Sequence, residues 1–225
     1  NHFTEDQVEK LKAAFLDELF DYQKTWWQNS QLRTRAILKS RQIGATFYFA
    51  REALIDALET GRNQIFLSAS KAQAYIFRQY ITAFAHEVCE VELAGDPIQL
   101  SNGASLYFLG TNARTAQGYH GNFYFDEFFW THGFEQLNKV ASGMAMHKKW
   151  RKTYFSTPSS IQHQAYAFWS GERINRKRSK SDRIEVDITH DRLAGGFMGE
   201  DKIWRQIVTI LDAEAGGCTL FDLDE

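Results

Sequence analysis

The chain has 225 residues, 44% of them hydrophobic, and a formal net charge of −2. That is enough to bury a full core in one domain, and too near neutral for the whole surface to serve as a nucleic-acid glove. Its two cysteines, Cys89 and Cys218, are too few and too far apart for a disulfide framework or a zinc site, so a reducing, intracellular setting is expected. No signal peptide or apolar run long enough to cross a bilayer is found in the sequence. The chain opens at Asn1 and closes on "LFDLDE", which reads as a piece of a longer protein.

Thr4 and Gln7 have capping-box spacing ahead of Val8, Leu11, Phe15 and Leu19, an amphipathic helix. "DYQKTWWQNS" reads as a polar, aromatic loop closing it. "RAILKS" is a short apolar strand, and "TFYFAREALIDALET" a helix ending at Gly61. "NQIFLSAS" is a buried strand, and "KAQAYIFRQYITAFAHEVCE" a long helix. "VELAGDPIQLSNGASLYFLG" alternates as a meander with a hairpin turn at Asn102-Gly103. "GNFYFDEFFW" is a strand ending in acids, "GFEQLNKVASGMAM" a helix, and "KTYFSTPSS" a strand broken at Pro158. Strands alternating with helices predict an α/β domain around a mostly parallel sheet. After Ser170 the basic stretch "GERINRKRSKSDR" is followed by an expected strand, "IEVDI". "LAGGFMGEDKIWRQIVTIL" includes a short helix, and "EAGGCTLFDLDE" reads as the start of a linker.

Chemistry concentrates at strand ends. "KSRQIGAT" (Lys39 to Thr46) stands between a strand and a helix, where backbone N–H groups and the helix dipole favour a phosphate. Gly44 suits close approach to an anion, and Thr46 stands where a hydroxyl would bind Mg²⁺. The usual G-x-x-x-x-G-K-S/T loop has a lysine where this chain has Ala45; Lys39 and Arg41 are the cations within reach. A plain turn with incidental basic residues fits the same octapeptide. "YFDEF" places Asp126 and Glu127 at the carboxyl end of a strand, where ligands gather in open α/β sheets. One acid there can organise Mg²⁺ while the next activates water. A solvated acid pair is the plain alternative. Gln23 can read an adenine edge with Tyr22 or a tryptophan stacking on the ring, although Trp26 and Trp27 read better as core packing. Ser156 and Thr157 in "FSTPS" can sense a γ-phosphate, or simply cap a helix.

Together, "DYQ", "KSRQIGAT", "FYFDEFFW" and "YFSTPSS", in this order and spacing, resemble the ATPase domain of tailed-phage terminase large subunits. The resemblance runs from about Leu19 to Pro158, and weakly through the closing "AGGCTLFD". It implies a RecA-like (ASCE) P-loop ATPase with a mostly parallel central sheet flanked by helices, using ATP and Mg²⁺ to move double-stranded DNA into a procapsid. In that reading Tyr22 and Gln23 belong to the adenine motif. Lys39, Ser40, Arg41, Gln42, Gly44, Ala45 and Thr46 form a deviant Walker A loop whose lysine stands at its front. Asp126 and Thr46 hold the metal, Glu127 is the catalytic carboxylate aided by Lys39 and Arg41, and Ser156-Thr157 is the coupling motif. Many members carry Arg-Gly before the Walker B strand. Here Gln117 precedes Gly118, and Arg114 is the nearest substitute for a trans-acting arginine.

The resemblance further implies a portal or procapsid and a small terminase subunit as partners, a homo-oligomeric ring, no membrane, and work in the host cytoplasm, transiently at the portal. Domain bounds follow as 1–170 for the ATPase core, 171–215 for a basic segment completing or lidding it, and 216–225 for the linker to a nuclease domain. "HKKWRK", "RINRKRSKSDR" and "SASKAQA" are candidate backbone contacts to DNA or ordinary solvated charge. A helicase-like ATPase and a catalytically weak ATPase-fold assembly module are the alternatives.

Overall fold

A computed structural model describes residues 1–110 and 118–220. The expected finger Arg114 and its neighbour Gln117 lie outside the described residues.

Residues with strict alternation build the centre. Along β2 (Gln64–Ser68), Ile65 and Leu67 face one side and Phe66 the other. β5 (Asn122–Asp126) repeats this with Phe123 and Phe125 against Tyr124, and β6 (Lys152–Ser156) with Tyr154 against Phe155. A period of two with apolar groups on both faces is the pattern of a strand covered on both sides. With β1 (Thr34–Lys39), β3 (Ile98–Gln99), β4 (Ser105–Gly110), β7 (Phe197–Met198) and β8 (Trp204–Val208) they form one sheet, in the order β3-β4-β2-β5-β6-β1-β8-β7. Among the described residues β3 on β4 and β7 on β8 pair antiparallel, and the other pairings are parallel.

On one face lie α1 (Glu5–Asp17), α2 (Asp21–Gln28), α3 (Ala45–Thr60) and α4 (Lys71–Cys89), packed around Phe49, which stacks on Trp26 and Phe155 at ring distances of 5.1 and 4.5 Å. The other face holds α5 (Phe134–Met144) and α6 (Ala165–Ser170) against Phe123, Phe125 and Tyr154. Three short helices, Glu172–Asn175 (α7), His190–Leu193 (α8) and Ile210–Ala215 (α9), follow. The capping box at Thr4 and Gln7 and the tight turn between β3 and β4, with Gly103 at φ +95°, form as the sequence predicts.

Three expectations are corrected. "DYQKTWWQ" is not a loop but α2, since Tyr22 and Trp26, four residues apart, turn one apolar face to the core. "IEVDI" joins no ladder, because the Asn175 side chain takes both the N–H and the C=O of Ile184, at 2.9 and 2.8 Å. The stretch "LAGGFMGEDKIWRQIVTIL", read as including a short helix, also carries the strand β8 over "WRQIV", and its helix begins only at Ile210. Polar residues disguise the strand: Arg205 is buried on Asp201 and on the Trp169 carbonyl, and Gln206 accepts from the Trp26 indole at 2.7 Å. β8 pairs with β1, so the sheet continues past Ser170.

A buried ion pair ties α3 to the sheet. Arg35 in β1 makes a bidentate contact with Glu52 in α3, at 3.0 and 2.8 Å, with both side chains almost fully inaccessible. Glu52 also accepts from the hydroxyls of Tyr48 and Tyr124, while Arg35 donates to the Trp26 carbonyl and the Thr153 hydroxyl. Glu52→Gln strands the guanidinium charge in a low-dielectric core and is expected to cost about 3–5 kcal/mol. Arg35→Met combined with Glu52→Gln is expected to recover part of that loss. Urea denaturation checks both, and an unchanged midpoint in the single variant would remove the pair from this role.

Candidate active site

The parallel register gathers the strand ends. Leu38 in β1 stands opposite Ser156 in β6, and Asp126 in β5 opposite Phe155 in β6. Strands about 4.8 Å apart therefore bring Lys39, Thr157 and Glu127 together, although 118 residues separate Lys39 from Thr157 (157 − 39). Lys39 Nζ lies 3.9 Å from Glu127 Oε1. The Thr157 N–H and hydroxyl donate to the two oxygens of Glu127, at 3.3 and 3.1 Å.

Glu127 adopts the left-handed conformation, φ 54° and ψ 42°, which costs a non-glycine residue about 1 kcal/mol or more. The bonds from Thr157, and that of the Glu127 N–H to the Phe155 carbonyl at 2.9 Å, hold it there. The Trp130 indole N–H donates to both the hydroxyl (2.8 Å) and the carbonyl (3.1 Å) of Thr157. Ser156 is buried; its hydroxyl donates to the Thr157 carbonyl and accepts from the Phe129 N–H. The carboxyl of Asp126 is pushed up to about 7, first by burial and then by the charge of Glu127, with Lys39 opposing.

The strand-to-helix loop runs from Ser40, whose N–H donates to the Val208 carbonyl, to Gly44 at the start of α3. Gly44 has φ +81°, and a Cβ there would meet the Gln23 amide nitrogen at 3.1 Å, so both conformation and space call for glycine. Ala45 is buried as the first residue of α3; Arg41 and Gln42 are exposed. Lys39, Gln42, Gly44, Ala45 and Thr46 line a cleft of about 640 Å³, together with Gln23, Phe47 and Tyr80. Lys39 thus faces the space that a lysine at position 45 would otherwise serve.

Two expected adenine contacts sit differently. Tyr22 is buried with its hydroxyl on the Ile43 carbonyl, and its ring lies against Phe20 and Trp26. It braces the loop and has no free face for a base. Gln23 reaches the cleft wall, but its carbonyl accepts from the Phe20 N–H at 2.9 Å and its amide donates to the Gly44 carbonyl at 3.3 Å. Trp26 is fully buried and Trp27 packs edge-on to Phe15, as core aromatics do. Of the basic stretches, "HKKWRK" is less available than its composition suggests. Arg151 is buried in an ion pair with Asp56, and only Lys148 and Lys149 among its cations are exposed. In "SASKAQA", Ser70 caps α4 and Lys71 pairs with Asp96 at 3.0 Å. Trp130 is the neighbour that sequence reading missed; only its place three residues past Glu127 hinted at it.

Comparisons with known proteins give the family and the fold of the chain. The family model for the terminase large subunit, T4likevirus-type, N-terminal, matches residues 36–225. The terminase, ATPase subunit, of Escherichia phage P2 is 58% identical over 228 residues, covering 100% of this chain and 38% of that one. A probable terminase, ATPase subunit, of Haemophilus phage HP1 is 51% identical over 217 residues, covering 96% of this chain and 36% of that one. The chain therefore spans little more than a third of the curated relatives it matches. The large terminase from the thermophilic bacteriophage D6E shares the fold with a TM-score of 0.61 at 12% identity, over 88% of this chain and 48% of that one. A further crystal form of it, in complex with ADP, gives 0.56 at 14% identity, over 95% and 47%. These likenesses establish the RecA-like architecture. By the extent of the family match, the chain belongs to the T4likevirus-type terminase large subunits and represents their N-terminal domain.

Proposed function

We propose that this chain is the ATP-hydrolysing motor domain of a terminase large subunit that drives double-stranded DNA into a procapsid. The observation carrying this reading is the convergence of Lys39, Glu127 and Thr157 at one sheet edge, beside a glycine-closed loop that opens a helix. The names of the phage P2 and HP1 relatives, and the ADP complex of the D6E protein, support it.

In this mechanism the N–H groups at the start of α3 and the Lys39 ammonium receive the β- and γ-phosphates. Lys39 replaces the charge that Ala45 lacks, with Arg41 as a second cation at the loop. Glu127 accepts a proton from the attacking water. Thr157, hydrogen-bonded to Glu127 and held by Trp130, is placed to report the change in that carboxylate to the segment beyond β6.

The donor set suits Mg²⁺. Among the described residues no three His, Cys, Asp or Glu side chains gather around one point. Magnesium in phosphoryl-transfer sites typically takes one or two protein oxygens and completes its shell with phosphates and water. Asp126 and Thr46 would hold it, and a cation there would oppose the burial and the Glu127 charge that raise the proton affinity of Asp126. When bound, the ion neutralises charge on the phosphate oxygens. Double-stranded DNA, a portal or procapsid, a small terminase subunit and a homo-oligomeric ring belong to the same proposal, as does action in the host cytoplasm at the portal.

Lys39→Ala and Glu127→Gln are each expected to lower phosphate release by about 10²-fold or more, with and without duplex DNA. Calorimetry is expected to show nucleotide binding weakened by Lys39→Ala and retained by Glu127→Gln. Hydrolysis at the parental rate in either variant would reject these assignments.

Asp126 yields a pH signature. Its folded-state pKa of about 7 lies above its ordinary value of 3.8, so the folded chain binds the extra proton between those limits and loses stability as pH rises through them. Asp126→Asn is expected to stabilise the chain by a few kcal/mol, roughly, at pH 8, and the gain is expected to vanish below pH 4. Urea denaturation at pH 4, 6 and 8 reads this; a pH-independent difference would contradict it.

A further inference from the structure

A second cavity, of about 480 Å³, lies at the opposite end of the same strands. Thr34 and Lys152, paired in register, line it where β1 and β6 begin. Lys39 and Ser156 stand where those strands end, five and four residues later, roughly 15 Å away at 3.3 Å per residue. The two spaces are therefore separate sites on one pair of strands.

The cavity is built for an anion. Lys152, Arg173, Lys177 and Arg178 line it, and its single acid, Asp201, is spent on Arg205 at 2.8 and 2.6 Å. Glu135, at 3.7 Å from Arg173 and 3.9 Å from Arg176, offsets part of the charge, while neither Lys152 nor Lys177 makes an ion pair among the described residues. Asn138 in α5 lines the cavity while only 1% exposed. Its carbonyl accepts from the Tyr154 hydroxyl, and its amide nitrogen is buried with no partner. Buried polar groups are rarely left so, and each exception calls for a ligand or another explanation. Burial, together with the charges of Arg33 and Arg173, depresses the proton affinity of Lys152, a strain that a bound anion would relieve.

We infer that this cavity is a phosphate site, with the Lys152 and Lys177 ammonium groups as its donors. The tetrahedral oxygens would pair with cations converging from β6 and from the exposed basic stretch after α7, beside the unpartnered Asn138 amide. The phosphate could come from a nucleic-acid backbone, for which the exposed cations from Arg176 to Arg183 offer a continuing track, or from a free phosphorylated molecule.

The test titrates sodium pyrophosphate by calorimetry into the chain carrying Lys39→Ala and Arg41→Ala, which removes both loop cations of the nucleotide cleft and so separates this site from the proposed ATPase function. Binding is expected to persist there, and to weaken at least tenfold when Lys152→Met or the exposed Lys177→Glu is added. Loss of all binding in that doubly substituted chain, or an affinity unmoved by both added substitutions, would overturn the inference. The exposed Lys177 variant keeps the test valid should Lys152→Met unfold, which circular dichroism detects. Fluorescence anisotropy with a short DNA duplex across a salt series then identifies the source. A salt slope smaller by about 1 in Lys152→Met assigns the cavity to a backbone phosphate. An unchanged slope alongside lost pyrophosphate binding assigns it to a free phosphate.

Discussion

Arg35 and Glu52 share a bidentate ion pair inside the domain, and four surrounding elements keep it dry and satisfy all but the Arg35 Nε. Two charges leave water at a cost of several kcal/mol each, and only good geometry and further hydrogen bonds offset that. Here the compensation comes from four elements at once: the Trp26 carbonyl of α2, Tyr48 of α3, Tyr124 of β5 and Thr153 of β6. The pair therefore locks β1 to α3, the two elements between which the loop from Ser40 to Gly44 is strung. It also locks both to the strands that deliver Glu127 and Thr157.

From that lock follows the division of the strands into two chemical ends. At their carboxyl ends, Lys39 and the doubly held Glu127 meet beside the cleft under α3. At their amino ends, the Asp56 carboxylate collects Arg151, Gln64 and Asn122, and nearby Lys152 and Asn138 face a second space. Parallel strands make this polarity possible, because all their carboxyl ends share one edge. In an antiparallel sheet the same residues would be distributed over both edges.

Much of the fold was legible before any coordinates. Runs such as "QIFLS" and "NFYFD" are short, apolar on both faces and bounded by loops, which is the pattern of a strand covered on both sides. What escaped reading was polar. β8 hid behind Arg205 and Gln206, which are strand residues only because Asp201 and Trp26 wait for them 4 and 180 residues away. "IEVDI" has ideal strand chemistry, yet it joins no ladder, and a single asparagine takes both backbone groups of its first residue, Ile184. Tyr22 was assigned to a base and serves the loop, because a hydroxyl four residues before Trp26 is directed by helix phase, which the motif does not encode.

The sequence by itself determined the alternation of strands and helices, the glycine at the loop's end, and the placing of acids and hydroxyls at strand ends. These follow from local rules of period, propensity and backbone freedom. It also singled out Lys39 as the cation nearest a loop that lacks a lysine at position 45. Only the tertiary structure decided that Lys39 faces Glu127, that Thr157 and Trp130 hold that carboxylate, that Asp126 gains proton affinity, and that Arg151 is spent inside the core. Each of those depends on register and burial between segments tens of residues apart, and local sequence carries no record of which strand will lie beside which.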